Sequence, residues 1–226
     1  MIEVRDLAKS FLLHNQGGAE LRVLRSRSFD VGAGECVALQ GRSGSGKSTL
    51  LKCLYANYRA SAGSIRVGGM EVTTASPREL LRLRRETVGY VSQFLRVIPR
   101  VPALAVVAEP LLDDGPYDES AAERARQEAE QLLLRLRIPM RLWSVAPATF
   151  SGGEQQRINI ARGLIRKRPV LLLDEPTASL DAENRATVVA MINEARAQGA
   201  AIVGIFHDRE VRDAVATQML DMEASS

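Results

Sequence analysis

Three short stretches of almost unbroken apolar sequence stand out, at 36–39 (Cys-Val-Ala-Leu), 170–173 (Val-Leu-Leu-Leu) and 200–206 (Ala-Ala-Ile-Val-Gly-Ile-Phe). Strands with one wet face alternate apolar and polar side chains, whereas continuous runs of this length suit strands covered on both faces of a parallel sheet. Segments 2–7, 21–31, 64–67 and 88–92 also read as strands, with a Gly-rich turn at 15–18 between the first two. Helical spacing takes over elsewhere. Leu50, Leu51 and Leu54 mark the inner face of a helix over 48–58, and further helices are expected over 103–112, 119–136, 183–197 and 208–216 and from Ser151. Pro77 with Glu79 two residues on suits the first turn of another. Strands alternating with helices predict an α/β fold.

Length and composition narrow this by exclusion. At 226 residues, one domain with an insertion fits better than two domains, and the helical, Ala/Glu/Arg-rich stretch from about 94 to 150 is read as that insertion. With 46% hydrophobic and 25% charged residues the chain is ordinary globular protein. A net charge of +3 is too small a surplus for a nucleic-acid binder, despite a pI near 9.1. No apolar run approaches the roughly 20 residues that cross a bilayer, so direct membrane insertion is not expected. Two cysteines, Cys36 and Cys53, make no disulfide framework, and with an acidic Glu3 at the start they suit a cytoplasmic protein.

The chemistry concentrates in three places. Gly41, Arg42, Ser43, Gly44, Ser45, Gly46, Lys47 and Ser48 fit G-x-x-x-x-G-K-[ST] between an apolar strand and a helix. Glycines let successive N–H groups face one centre, and the helix terminus adds partial positive charge, so a polyphosphate is favoured there. Lys47 can reach the outer phosphates and the Ser48 hydroxyl suits Mg²⁺. The second place is the end of the 170–173 run, where Asp174 and Glu175 set two carboxylates at the carboxyl edge of the sheet. Asp174 is the expected Mg²⁺ partner, and Glu175 is positioned to orient or deprotonate an attacking water. The third is Ser151-Gly152-Gly153-Glu154-Gln155-Gln156-Arg157, which opens a helix and makes a second anion-seeking terminus. One ATP needs one cradle, so the second suggests service to the ATP of a facing subunit.

Taken together with Gln93, the turn Ser179-Leu180-Asp181 and His207, these segments resemble the ATP-binding-cassette family, with all its motifs in order over nearly the whole chain. The resemblance implies a P-loop NTPase core with a mainly parallel sheet, an N-terminal antiparallel β portion and an inserted helical subdomain. It also implies a head-to-tail sandwich dimer, with itself or with another cassette subunit, holding two ATP molecules with Mg²⁺. By the same likeness Phe11 stacks on adenine and residues 41–48 with Thr49 hold the phosphates. Gln93 senses Mg²⁺ and links the site to a partner, Ser151, Gly152, Gly153, Glu154 and Asp181 serve the facing nucleotide, and His207 contacts the γ-phosphate.

Texture around 54–58, 91–100, 149–163 and 200–208 is similar to a narrower group, the cassette subunits of the bacterial carbon–phosphorus lyase system. That implies an ATPase assisting the core complex of phosphonate breakdown, at the step that makes a ribose 1-phosphonate 5-triphosphate. Since the recognisable groups suit γ-phosphate hydrolysis and no second carboxylate pair serves sugar chemistry, the expected part is an ATP-driven clamp. The rival reading is the energy subunit of a membrane transporter of the lipoprotein-releasing or macrolide-exporting type.

Overall fold

A computed structural model of the chain describes residues 1–13, 18–95, 99–112 and 118–223. Strands run at β1 (Ile2–Leu13), β2 (Ala19–Val31), β3 (Cys36–Gln40), β4 (Ala62–Val67), β5 (Met70–Glu71), β6 (Val88–Val91), β7 (Val170–Asp174), β8 (Ala201–Ile205) and β9 (Gln218–Asp221). Helices are α1 (Lys47–Leu54), α2 (Pro77–Arg82), α3 (Ala103–Ala108), α4 (Glu119–Arg135), α5 (Gly152–Leu164), α6 (Ala182–Ala197) and α7 (Arg209–Val215). Five strands form a parallel sheet in the order β6-β7-β8-β3-β9, and four form an antiparallel sheet in the order β2-β1-β4-β5.

The continuous apolar runs have the predicted cause. Along β7, Val170 and Leu172 face one core while Leu171 and Leu173 face another, and β3 divides its residues in the same way. One core lies toward α1 and the antiparallel sheet, where Leu50, Leu51, Cys53 and Leu54 are fully buried. The other lies under α5 and α6 and extends into the packed α3 and α4. Both cysteines are buried, and burial pushes the thiol of Cys36 up to about 12 and that of Cys53 to about 11, so neither is a reactive thiolate.

Several expected boundaries need correction. The helix after the glycine-rich loop stops at Leu54 rather than Tyr58, because Ala56 turns to a left-handed φ of 61° and the amides of Ala56 and Asn57 fold back onto the carbonyls of Cys53 and Lys52. The helix expected over 103–112 keeps α geometry only to Ala108 and tightens at Glu109–Leu111, where Pro110 cannot continue the ladder. Strands β5 and β9 were not anticipated. Of the turn expected at 15–18, residues 15–17 fall outside the described residues, as do 96–98 of the loop after Gln93.

Candidate nucleotide-binding site

The chain leaves β3 and enters α1 through residues 41–46. Gly44 and Gly46 hold left-handed φ of 83° and 93°, which admits the sharp path only without a side chain. At Gly46 a Cβ would press to 2.7 Å from Leu24, so packing as well as conformation requires glycine there; at Gly44 it would meet open space. Lys47 is buried and donates from Nζ to the carbonyls of Gly41 at 2.6 Å and Arg42 at 2.8 Å. The hydroxyl of Ser45 is buried with no hydrogen-bond partner among the described residues. A buried orphan hydroxyl, a lysine curled onto its own loop and an open face at Gly44 fit an anionic ligand that supplies the missing acceptors.

Beside this loop, Ser48 Oγ donates to Asp174 Oδ1 at 3.1 Å and the Tyr90 hydroxyl to Oδ2 at 3.4 Å. Asp174 is buried, and that burial lifts its carboxyl above the usual carboxylate range, with Glu175 adding to the rise and Ser48 opposing it. An oxygen pair from Ser48 and Asp174 is the hard-donor set that suits Mg²⁺, which takes its remaining ligands from water and phosphate. Among the described residues no cluster of three His, Cys, Asp or Glu could hold a metal by itself.

Raising Asp174 has a consequence for stability. Its folded carboxyl holds a proton more tightly than the unfolded one, so the ionised form costs stability at neutral pH. The cost vanishes as pH falls through the raised value. Asp174→Asn removes the charge at constant shape. The nucleotide-free chain should then melt higher at pH 7, by about 2–4 °C for each 1 kcal/mol recovered, with the gain disappearing in acid. A midpoint at pH 7 that does not rise would contradict this reading.

Glu175 sits at the turn after β7 with a left-handed φ of 54°, a costly conformation for a residue with a Cβ. It is over-determined from several sides. Its amide bonds Ile205 O, Gln156 donates to its carbonyl at 3.3 Å and to that of Pro176 at 3.1 Å, and its carboxylate meets His207 Nε2 at 2.7 Å and Gln93 Nε2 at 3.4 Å. Three residues picked from sequence, Gln93, Glu175 and His207, are thus joined, next to the Ser48–Asp174 pair.

The Ser151–Glu154 turn has its own surroundings. Ser151 caps α5, accepting from the Glu154 amide, and Glu154 Oε2 accepts in turn from Ser151 Oγ at 2.7 Å and Ser151 N at 2.9 Å, two bonds that hold the Glu154 carboxyl below its usual range. Gly152 is exposed, and a Cβ on Gly153 would lie 2.9 Å from Ser179 O, so this turn packs on the 179–181 turn. Asp181 caps α6 through Asn184. Among the described residues no hydrogen bond joins Ser151–Glu154 to residues 41–48. Arg157, read from sequence as part of the anion-seeking terminus, bends back to the carbonyls of Gly153, Leu136 and Arg137 and braces the loop instead. Phe11 meets Tyr58 edge-on at 5.2 Å between centroids, with Lys9 Nζ 4.6 Å from its ring centre.

Sequence reasoning missed the supports. Gln156 and Asn159 lie buried on one face of α5, and Asn159 bonds Ser92 O, so a single helix fixes the backbone beside both Gln93 and Glu175. Two amides three apart on the face of a helix that also carries Ile160 and Gly163 were the available signal.

Strand, phosphate-type loop, helix and a carboxylate-ended strand one position removed in the same sheet define a P-loop nucleotide-binding protein. The ABC transporter family model matches residues 24–178, and the chain belongs to that family, which implies ATP binding and hydrolysis. It is 36% identical over 214 residues to the lipoprotein-releasing system ATP-binding protein LolD of Idiomarina loihiensis, covering 94% of this chain and 90% of that one. It is 42% identical over 214 residues to the pyoverdine export ATP-binding/permease protein PvdT of Pseudomonas putida, and 36% identical over 213 residues to the macrolide export protein MacB of Escherichia coli, and spans only 31% of the length of each. The dimeric structure of MJ0796, a bacterial ABC transporter cassette, superposes with a TM-score of 0.88 at 27% identity, over 98% of this chain and 95% of that one. A further dimeric structure of that cassette, in a post-hydrolysis state with ADP and Pi, agrees equally well. These relatives are transporter ATPases, and the narrower likeness to carbon–phosphorus lyase cassettes gains no support from them.

Proposed function

We propose that this chain is the ATP-hydrolysing subunit of a membrane transporter of the lipoprotein-releasing or macrolide-exporting type, working as a head-to-tail dimer around two ATP molecules. One observation carries the dimeric site. The water-handling groups gather beside residues 41–48, whereas the second phosphate-seeking terminus is exposed at Ser151 and Gly152 and, among the described residues, shares no hydrogen bond with that loop. Each nucleotide is then held by residues 41–49 of one subunit and by Ser151, Gly152, Gly153 and Glu154 of the other, with Asp181 at the crossing. Phe11 lies against the base.

Within this reading Lys47 leaves its own loop carbonyls for the β- and γ-phosphates, and Ser45 gains an acceptor. Ser48, Asp174 and Gln93 would hold Mg²⁺, which would supply positive charge against the phosphates. Glu175 takes the proton of the attacking water, and His207, held on that carboxylate, is placed to donate toward the γ-phosphate.

The partner reading rests on the relatives and on a groove of about 1380 Å³ that reaches from Ser48 and Gln93 to Arg78, Leu81 and Arg82. Three large apolar side chains stand open in it, Phe94 at 73% exposure, Leu81 at 65% and Leu112 at 42%. Exposed apolar anchors beside the residue that senses the site suit the docking of a partner segment. In this reading the helices between about 94 and 150 form one subdomain that carries the groove's far wall.

A second reading, the ATPase of a phosphonate-processing complex, keeps the same site, differs only in partner and rests on the sequence likeness of 91–100 alone. Affinity purification of the Glu175→Gln chain with ATP distinguishes the two. Recovery with an integral membrane protein supports the transporter, and recovery with carbon–phosphorus lyase subunits overturns it.

A further inference from the structure

The peptide joining Gly41 to Arg42 is gripped from both sides. Lys47 Nζ donates to its carbonyl, Gly41 O, at 2.6 Å, while its amide, Arg42 N, donates to Glu223 Oε1 at 2.6 Å. Glu223 lies far away in sequence, in the turn that follows β9. Strand β9 pairs parallel to β3 through Gln40 and Asp221, and the Met222 amide continues the ladder onto Gln40 O. Met222 is buried, its carbonyl accepts from Arg27, and Asp221 Oδ1 accepts from the Glu223 amide at 2.8 Å. The backbone of Glu223 is therefore anchored two residues beyond β9, which brings its carboxylate to Arg42. Its second oxygen is 3.9 Å from the Arg42 guanidinium, an exposed pair of little weight.

We propose that Glu223 is a positioning residue for nucleotide binding, which pins the entry peptide of the phosphate loop so that Lys47 can leave it. Without nucleotide, the Gly41–Arg42 peptide is fixed by an ammonium on one side and a carboxylate on the other. Phosphate takes the ammonium. The carboxylate bond then becomes the contact that keeps this peptide plane, and with it the direction of the following N–H groups. A charge-assisted bond from a backbone amide is among the stronger single hydrogen bonds. The proposal rests on residues 41–48 being the ATP cradle and adds the device that preorganises it.

The test is calorimetric titration of the full chain with ATP and Mg²⁺, beside steady-state hydrolysis. Glu223→Ala should weaken ATP binding about tenfold and raise KM in step, with kcat at saturating ATP unchanged, since Glu223 does not touch the reacting atoms. Glu223→Gln keeps a side-chain oxygen for Arg42 N and should bind within about twofold of the parent. Thermal melting of both variants without nucleotide separates a misfolded chain from a loosened loop. An Ala variant that folds and binds ATP as tightly as the parent overturns the proposal, as does a Gln variant as weak as Ala. If the parent chain itself fails to bind ATP, the nucleotide reading falls instead.

Discussion

Replacing Glu175 with Gln lowers ATP hydrolysis by about 10²–10⁴-fold, the usual worth of a positioned general base, while ATP stays bound and a closed dimer accumulates. The reason is a division of labour. In the proposed site phosphate is held by the loop, Lys47 and Ser48, none of which the substitution touches, whereas proton acceptance is lost with the carboxylate. Shape survives as well: Gln retains an oxygen and a nitrogen at the distances of His207 and Gln93, and the backbone holds to Ile205 and Gln156 are unchanged. Light scattering with ATP should report twice the mass of the chain. Monomer only, with nucleotide demonstrably bound, would count against the sandwich and against a water-activating Glu175 that gates its opening.

The second large effect is expected at Gly152. An aspartate there meets nothing within 4 Å of its Cβ, so it adds charge without a clash. In the proposed dimer this helix start faces the partner's γ-phosphate, so that charge should cost turnover about 10²-fold or more, comparable to losing a preorganised donor, with ATP affinity of the single chain within about twofold of the parent. Gly153→Asp should be equally inactive for a mixed reason, because its Cβ also presses on Ser179 O at 2.9 Å. Comparing the two separates electrostatics from packing. Turnover of Gly152→Asp at the parent rate would remove the Ser151–Gly153 turn from the reaction.

Much of this was legible in the chain because the informative residues are dense and local. Residues 41–48 announce a strand–loop–helix cradle by themselves, and Val170–Asp174 announces a doubly buried strand ending in a carboxylate. What could not be read has a physical reason too. Glu223 reaches Arg42 only because β9 pairs beside β3, and a four-residue edge strand carries no pattern that foretells its pairing. The short β9, with Met219 half-exposed, lacks the apolar run of a central strand. Arg157 looked like an anion ligand since a cation near a helix start so often is one; its turn toward Leu136 and Arg137 depends on how the loop after α4 returns. Gln156 and Asn159 are polar residues on a buried face, meaningful only once the backbone they bond is beside them. The partner is the least local property of all. The cassette core is shared with the family, and the proposed docking groove is marked only by exposed side chains such as Phe94.

The measurement that bears most directly on the composite site is the ATP hydrolysis rate per chain as concentration is carried from far below to far above dimerisation, with mass followed by light scattering. Activity per chain should rise from near zero with the dimer fraction and level off when pairing is complete. Full specific activity in a sample that scatters as single chains throughout would contradict it.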